Sequence, residues 1–487
     1  MPSLQSKLAE LLPPPLDLAL LAELSPTSKL TPLDRASGIG LLPAWADFVQ
    51  NDAESWERYD LLSAEKLFKN YAGVSDALYD EMISPLLHVL PMTPGYDCSA
   101  AAALSCFHVF ALQSKGAFDV RWCKGGIAES IFNPWVEKLT TSRIDESNSV
   151  VEIRGGSRVS SLQGNDDTKK VVLESGEEIE CDAIILAVGG TAMSKLTYSS
   201  PILSALPQSS KFHNLRGVTC VAVRLFLQPD VISENLDGGL HSATRLCPQH
   251  ARAMKDSPVI VCGAGIGGAT IPELRETGFC IYDLQRMHDE FATTVTSLSN
   301  SISDNTGPAV LEVDFFRADD IADLTDDQIS EFTLNAVAAA LGVPAIPKSR
   351  IIDAAVVRAR NAVSHFNVGS AACSPNGPRL GDDSGNGGGL YVCGDWVDRA
   401  GHASWSTEKA VVTGTQAAEA VLEDWGLRNG SNGDNTSVLP VVEDTVQLQQ
   451  LRQVAKTLRS TFPPPGEERI PPSPWSFVKN VIAGSKS

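Results

Sequence analysis

Gly394 and Asp395 end a short apolar run, Leu390 to Cys393, and are followed by Trp396 and then by a segment that opens at Ser406 and carries Glu408, Ala410 and Gly414. The pattern reads as strand, loop and helix, with the glycine and the carboxylate at the strand's C-terminal end, where open parallel sheets place their ligands. Gly394 lets a ligand approach the backbone. Asp395 can accept hydrogen bonds from hydroxyls or order water around a phosphate. A helix beginning near Ser406 points its free N–H groups and positive dipole end at the same place, which favours an anionic or electron-rich partner. Ala410, Gly414 and Ala418 fall at four-residue intervals and make one smooth stripe. A glycine inside a helix costs about 1 kcal/mol against alanine, so Gly414 implies close packing of something against that stripe. These residues together suit a flat, electron-rich group with a polyhydroxylated arm.

The segment resembles the glycine-aspartate motif of the amine oxidase, phytoene desaturase and carotenoid isomerase superfamily. By that resemblance Gly394, Asp395, Trp396, Glu408, Ala410 and Gly414 line FAD. Two further segments are similar to the same family. Trp122-Cys-Lys-Gly-Gly-Ile-Ala-Glu resembles its glycine-pair turn and helix, implying a cofactor contact at Gly125 and Gly126 and an adenine-contacting valine at Val159. Cys181-Asp-Ala-Ile-Ile-Leu-Ala-Val resembles the strand beside the adenosine, implying Ala187 and Val188. The implied fold is α/β, an FAD/NAD(P)-binding doubly wound fold with an inserted α+β substrate domain. The implied activity is hydride transfer at flavin N5, here on an apolar, carotenoid-like small molecule because the inserted region is aliphatic.

The elements that must position these residues divide the chain. Residues 1 to 60 are proline-broken and irregular, and 61 to 120 read as helices of a substrate domain, the alanine-rich run opening after Asp97 and Ser99. Residues 121 to 200 form one part of the flavin-binding unit. They hold a helix ending near Leu139, strands near Val150–Ile153 and Val159–Leu162, and a hairpin around Ser175-Gly176. An apolar strand at Ala183–Leu186, expected to be covered on both faces, completes the part. Residues 201 to 350 return to the substrate domain, with strands at Val218–Leu227 and Val310–Phe315 and a helix over Asp326–Leu341. Residues 351 to 425 complete the flavin-binding unit. From 426 onward come a polar linker, a charged helix near Val446–Ser460 and a Pro-rich tail.

The family normally opens with a strand, a G-x-G-x-x-G turn and a helix that clamp the ADP part of the cofactor. Residues 1 to 60 contain no such pattern, so the sequence is expected to be N-terminally incomplete. A match occurs elsewhere: Gly263, Gly265 and Gly268 follow the run Val259–Cys262, with Asp283 beyond. Against it, Pro272 falls inside the helix that such a turn requires. Three readings follow: a flavoenzyme, a degenerate relative that holds no FAD, and a nicotinamide enzyme using Gly263–Gly268. No catalytic acid or base is assigned. His402 beside the motif is a better candidate than His288, and hydride removal by a flavin needs no ionisable side chain when the substrate is hydrocarbon-like.

Composition bounds the partners. A net charge of -20, from 39 basic and 59 acidic side chains, excludes a nucleic-acid surface and electrostatic docking on anionic lipid. It leaves other peripheral membrane contact and the oligomeric state open. The 10 cysteines show no paired or histidine-clustered spacing, so neither a metal site nor a disulfide framework is implied. No stretch approaches the roughly 20 apolar residues of a membrane span, and no targeting signal is legible.

Overall fold

In a computed structural model of the chain, the described residues are 30–112, 121–141, 151–165, 168–228, 258–262, 276–288, 291, 309–341, 345–381, 388–400, 406–427, 438–441, 443–461 and 470. Gly263–Gly268, His402, residues 428–437 of the linker and all of the tail after 461 except Ile470 lie outside them, as do residues 1 to 29.

Helices dominate the first described part, among them α1 (Leu42–Asp47), α2 (Ala53–Tyr59), α3 (Ser84–Val89) and α4 (Ala100–Phe107). Local chemistry sets their starts. Pro43 sits in the first turn of α1, the Asp52 carboxylate accepts from the Glu54 and Ser55 amides, and the Ser99 hydroxyl accepts from Ala102. The alanines of α4 are fully buried: Ala100 and Ala101 share a core with the rings of Phe48, Trp56 and Tyr59, and Ala102 and Ala103 one with Phe68, Tyr79 and Phe366. Helix α5 (Asn133–Thr141), after the glycine pair, buries none of its residues. Trp122, ahead of that pair, packs edge-on against Tyr282 at 5.5 Å.

Strands β1 (Val159–Gly164), β2 (Lys169–Leu173) and β3 (Glu178–Cys181) make an antiparallel meander whose second turn holds Ser175 and Gly176. Residues 151–153, expected as a strand, run as coil without ladder partners. Alternating apolar residues gave the right period there, but no strand among the described residues pairs with it. Next, β4 (Ile184–Leu186) leads into α6 (Gly190–Ser199). Ile184 and Leu186 are buried while Ile185 is 43% exposed, so this strand is covered on one face rather than two.

Strands β5 (Gly217–Leu227), β6 (Val259–Cys262), β7 (Gly278–Asp283), β8 (Ala309–Phe316) and β9 (Ile351–Ser364) form a second sheet in the order β6-β7-β8-β5-β9, every neighbour antiparallel. One face buries Val221, Val223, Leu225, Val313 and Phe315 against helix α7 (Asp326–Leu341). Each such side chain contributes about 1.5–3 kcal/mol. A capping box starts α7: Gln328 Oε1 accepts from the Thr325 amide at 2.9 Å while Thr325 Oγ1 accepts from Gln328. β9, which the sequence pattern assigns to the C-terminal flavin-binding part, thus belongs to this sheet as far as Ser364. Asp97 fastens the helices to the sheet's end: Arg317 Nη1 lies 3.2 Å and His365 Nε2 3.0 Å from its carboxylate.

The chain then returns to the first layer. β10 (Leu390–Val392) pairs in parallel with β4, and α8 (Thr407–Asp424) packs on it. Two strands, each followed by its helix, are the doubly wound part of the fold. Last, α9 (Val446–Thr461) crosses back to α1, with Leu448 and Ile470 entering the first helical core.

Candidate functional site

Parallel pairing of β4 with β10 brings two chain turns side by side at the strands' C-terminal ends, Ala187–Val188 and Cys393–Trp396. The Cys393 amide extends the ladder to Leu186 O at 3.1 Å. The Trp396 indole N–H donates to Val188 O at 2.8 Å, and its ring, 1% exposed, fills the core behind both strands. Gly394 sits at φ +145°, and a β-carbon there would meet the Trp396 indole at 3.0 Å. Glycine is therefore required at this position on two counts. Thr413 of α8 holds the same residue: its hydroxyl accepts from Gly394 N–H at 3.0 Å and lies 3.0 Å from the Gly394 carbonyl.

Asp395 is half-buried and accepts from Ser364 Oγ at 2.9 Å. Burial raises its pKa; the Ser364 hydroxyl and then Arg399 oppose that rise. Around it stand charges that the sequence pattern did not single out. Arg399, 7% exposed, donates to Ser370 Oγ at 2.6 Å and lies over the Phe366 ring at 4.5 Å. Asp60, at the end of α2, accepts from the Ala371 amide at 2.9 Å, and burial pushes its carboxyl up to about 6. Lys409, 2% exposed on the first turns of α8, donates to Asp398 O at 2.7 Å, and burial pushes its ammonium down to about 8.

The face of α8 turned to β10 carries Lys409, Thr413, Ala417 and Ala420. The stripe of Ala410, Gly414 and Ala418 lies beside it, with both alanines exposed, and no described atom lies within 4 Å of a β-carbon built on Gly414. Glu408 is exposed in the helix's first turn. Val159 opens β1 and packs against the core shared by Ile184, Leu186 and Trp396. The structure thus sets Gly394, Asp395 and Trp396 beside Ala187 and Val188 at one end of the parallel pair, with Glu408, Ala410 and Gly414 on the helix whose Thr413 holds Gly394 and Val159 packed against the shared core. Gly125 and Gly126 follow Trp122, whose ring contacts Tyr282 of the five-stranded sheet.

These residues fit a flavin. A stripe of small residues runs along α8, whose Thr413 holds the turn that carries the half-buried Asp395, a carboxylate suited to accept from hydroxyls. At the same end, Arg399 Nε and Asp60 Oδ1 are buried without partners among the described residues, which leaves a donor and an acceptor for a polar group.

The second sheet does not support a dinucleotide site at Gly263–Gly268. A dinucleotide turn leads through a helix to a parallel strand. Here β6 and β7, the strands flanking the glycines, pair antiparallel, and Asp283 is buried at the end of β7. The sheet's face away from α7 instead presents polar groups in register. Arg224 pairs with Glu312, Asp314 stands two residues along β8, and Tyr282 of β7 lies opposite Glu312. Burial, with Glu312 adding to it, pushes Asp314 up to about 7. The aromatic rings of Trp122 and Phe291 flank this group, Phe291 lying 5.3 Å from the Arg224 guanidinium.

The model of the flavin-containing amine oxidoreductase family matches residues 35–422. Among solved structures, cyclohexylamine oxidase from Brevibacterium oxydans IH-35A is similar at a TM-score of 0.50 and 14% identity, over 82% of this chain and 77% of that one. Wild-type putrescine oxidase bound to putrescine gives 0.50 at 13% identity, over 82% and 78%. At such identities the likeness concerns the fold. No curated protein matches the chain.

Proposed function

This chain belongs to the flavin-containing amine oxidoreductase family, and we propose that it oxidises a small aliphatic amine by hydride transfer at the cofactor bound beside Asp395. FAD-dependent oxidoreductase chemistry follows from the family itself. The observation that carries the site assignment is the parallel β4–β10 pair, which delivers Gly394 and Asp395 to the N-terminal half of α8 with Thr413 clamping the turn.

In this reading Gly394, Asp395, Ala410 and Gly414 hold the flavin ring and its ribityl arm, while Val159, Ala187 and Val188 support the adenosine side. Trp396 acts from behind, as the packing that fixes the turn. Flavin supplies a hydride acceptor at N5. The chain's own residues bind, orient and exclude water. Asp395 accepts from the arm, and the small residues of α8 allow flat contact.

The amine reading rests on the polar face of the second sheet. The substrate expected from the aliphatic sequence was hydrocarbon-like, and Val357, 63% exposed on β9, keeps an apolar surface there. Beside it, however, Asp314 and Glu312 would face a hydrocarbon at a cost, since buried carboxylates need partners. A substrate with an apolar body and a basic nitrogen suits both surfaces, with Asp314 and Tyr282 receiving the nitrogen. Cyclohexylamine and putrescine, named for the two similar structures, are apt first probes.

The test has two parts. Purified full-length chain, incubated with FAD and desalted, is expected to retain flavin absorption. A colourless protein overturns the flavin site. Loaded protein mixed anaerobically with an amine panel is expected to bleach, and Asp314→Asn to raise the half-saturating amine concentration about tenfold, the loss of one charge-assisted contact. Bleaching by carotenoids and not by amines overturns the amine reading.

A further inference from the structure

Ser364 is the last residue of β9, and there the five-stranded sheet meets the turn that carries Asp395. Its hydroxyl donates to Asp395 Oδ1 at 2.9 Å, and the residue is buried. An irregularity in the ladder brings it there. Val218 pairs with Val363 and Cys220 with Ala359, so Arg360, Asn361 and Ala362 stand opposite Thr219 alone. A bulge bends its strand and re-aims the side chains beyond it. The residues of this one hold it in shape. Asn361 adopts φ +51°, a left-handed conformation in which asparagine is enriched. Its amide donates to Thr219 Oγ1 at 3.2 Å, and its carbonyl lies so close to Gly217 that a β-carbon there would stand 2.3 Å from the oxygen. That glycine is the residue paired with Ser364. Past Ser364 the chain is pinned again: the His365 amide donates to Arg216 O at 3.1 Å, its ring meets Asp97 at 3.0 Å, and Phe366 O accepts from the Ser99 amide at 2.8 Å.

The last torsion of an aspartate side chain is broad, so a carboxylate without a fixed partner offers its oxygens over a wide range of directions. A donor held rigidly against one oxygen selects one rotation. Building on the flavin reading, we propose that Ser364 is a positioning residue of the cofactor site: its hydroxyl holds the Asp395 carboxylate in the rotation that accepts from the cofactor's hydroxyls, and the bulge at 360–362 is the device that carries it there. Fixing an acceptor before the ligand arrives lowers the ordering cost of binding. A carboxylate has about four lone-pair sites, so a bond to Ser364 leaves acceptor capacity for the ligand. The sheet is thereby registered to the cofactor turn through one hydroxyl.

FAD binding to the FAD-depleted full chain, followed by quenching of flavin fluorescence at neutral pH, tests this. Ser364→Ala is expected to weaken binding about fivefold, the loss of one hydrogen bond to a charged group. Ser364→Thr, which keeps a hydroxyl on the same carbon, should bind within about twofold of wild type, the rescue that a bond to Asp395 requires. In an Asp395→Ala background Ser364→Ala should cost less than about twofold, because the residue through which it acts is gone. Thr219→Val keeps the side-chain volume and removes the hydrogen bond inside the bulge without touching the site. It should weaken binding about two- to threefold, again only where Asp395 is present, and it decides the matter if Ser364→Ala does not fold. Binding as tight as wild type in Ser364→Ala, equal losses in Ser364→Ala and Ser364→Thr, or an equal loss from either Ser364→Ala or Thr219→Val in both Asp395 backgrounds overturns the inference alone. Binding unmoved in Thr219→Val overturns the part given to the bulge. Wild-type chain that takes up no FAD overturns the flavin reading and this inference with it.

Discussion

Lys409 shows how a single residue departs from what its type suggests. A lysine in the first turns of a helix is ordinarily solvated, yet this one is 2% exposed and donates to Asp398 O. Its folded pKa, about 8, lies below the ordinary 10.5. The folded state therefore binds this proton less tightly than the unfolded chain, so the burial penalty is full below about pH 8 and relaxes as pH rises to about 10.5. The gap corresponds to about 3 kcal/mol. Against a Lys409→Met variant, the wild type should gain about that much stability between pH 7.5 and 10.5 in urea unfolding; parallel curves would show that the ammonium is not desolvated. The same residue explains why the site was only partly legible in sequence. Gly394, Asp395 and Gly414 stand out because glycine and a strand-end carboxylate have few other uses. Lys409, Arg399 and Asp60 do not, since charged residues in a helix or loop are most simply read as surface and their partners are distant in sequence. Thr413 escaped for another reason: the small stripe at 410, 414 and 418 drew attention from the face one residue back, which is the one turned to β10.

At the scale of elements, period and caps predicted β5, β8, α7 and α9 nearly to their ends, because each is long and strongly patterned. Pairing was not legible. Nothing local in β9 distinguishes a partner in one sheet from a partner in the other, and residues 151–153 alternate like a strand without pairing with any described strand. Helix α9 is legible as a helix but not as a brace. Arg452 donates to Ala46 O at 3.3 Å and to Phe48 O, at the end of α1, while Asp444 holds its guanidinium. Arg459 meets the buried carboxylate of Asp47 at 3.3 Å. Removing Arg452 leaves two buried carbonyls unsatisfied, so Arg452→Ala should destabilise the protein by roughly 2–3 kcal/mol. Hydrogen exchange should locate the loosening in α1 and α2 as well as in α9. Exchange that quickens in α9 alone would mean that the helix rests on the N-terminal core without supporting it.

Over the whole molecule the decisive quantity is charge. A net -20 sets up a negative field around the protein, and a cationic substrate approaches through it faster than a neutral one. Such steering is screened over a Debye length of about 10 Å at 0.1 M salt and about 3 Å at 1 M. If the substrate is an amine received at Asp314, kcat/KM for a monocationic amine should fall severalfold as salt is raised across that range, while kcat at saturation changes little, because the field acts on encounter. A neutral analogue of the same shape should show no such fall. Asp314→Asn should lower kcat/KM at every salt concentration and leave the slope against salt nearly unchanged, since one charge among many contributes little to the long-range field. The two effects are separable because one belongs to the surface as a whole and the other to a single carboxyl on β8. A salt-independent kcat/KM for the cation would argue that the nitrogen arrives uncharged, and the polar face of the second sheet would then need a different occupant.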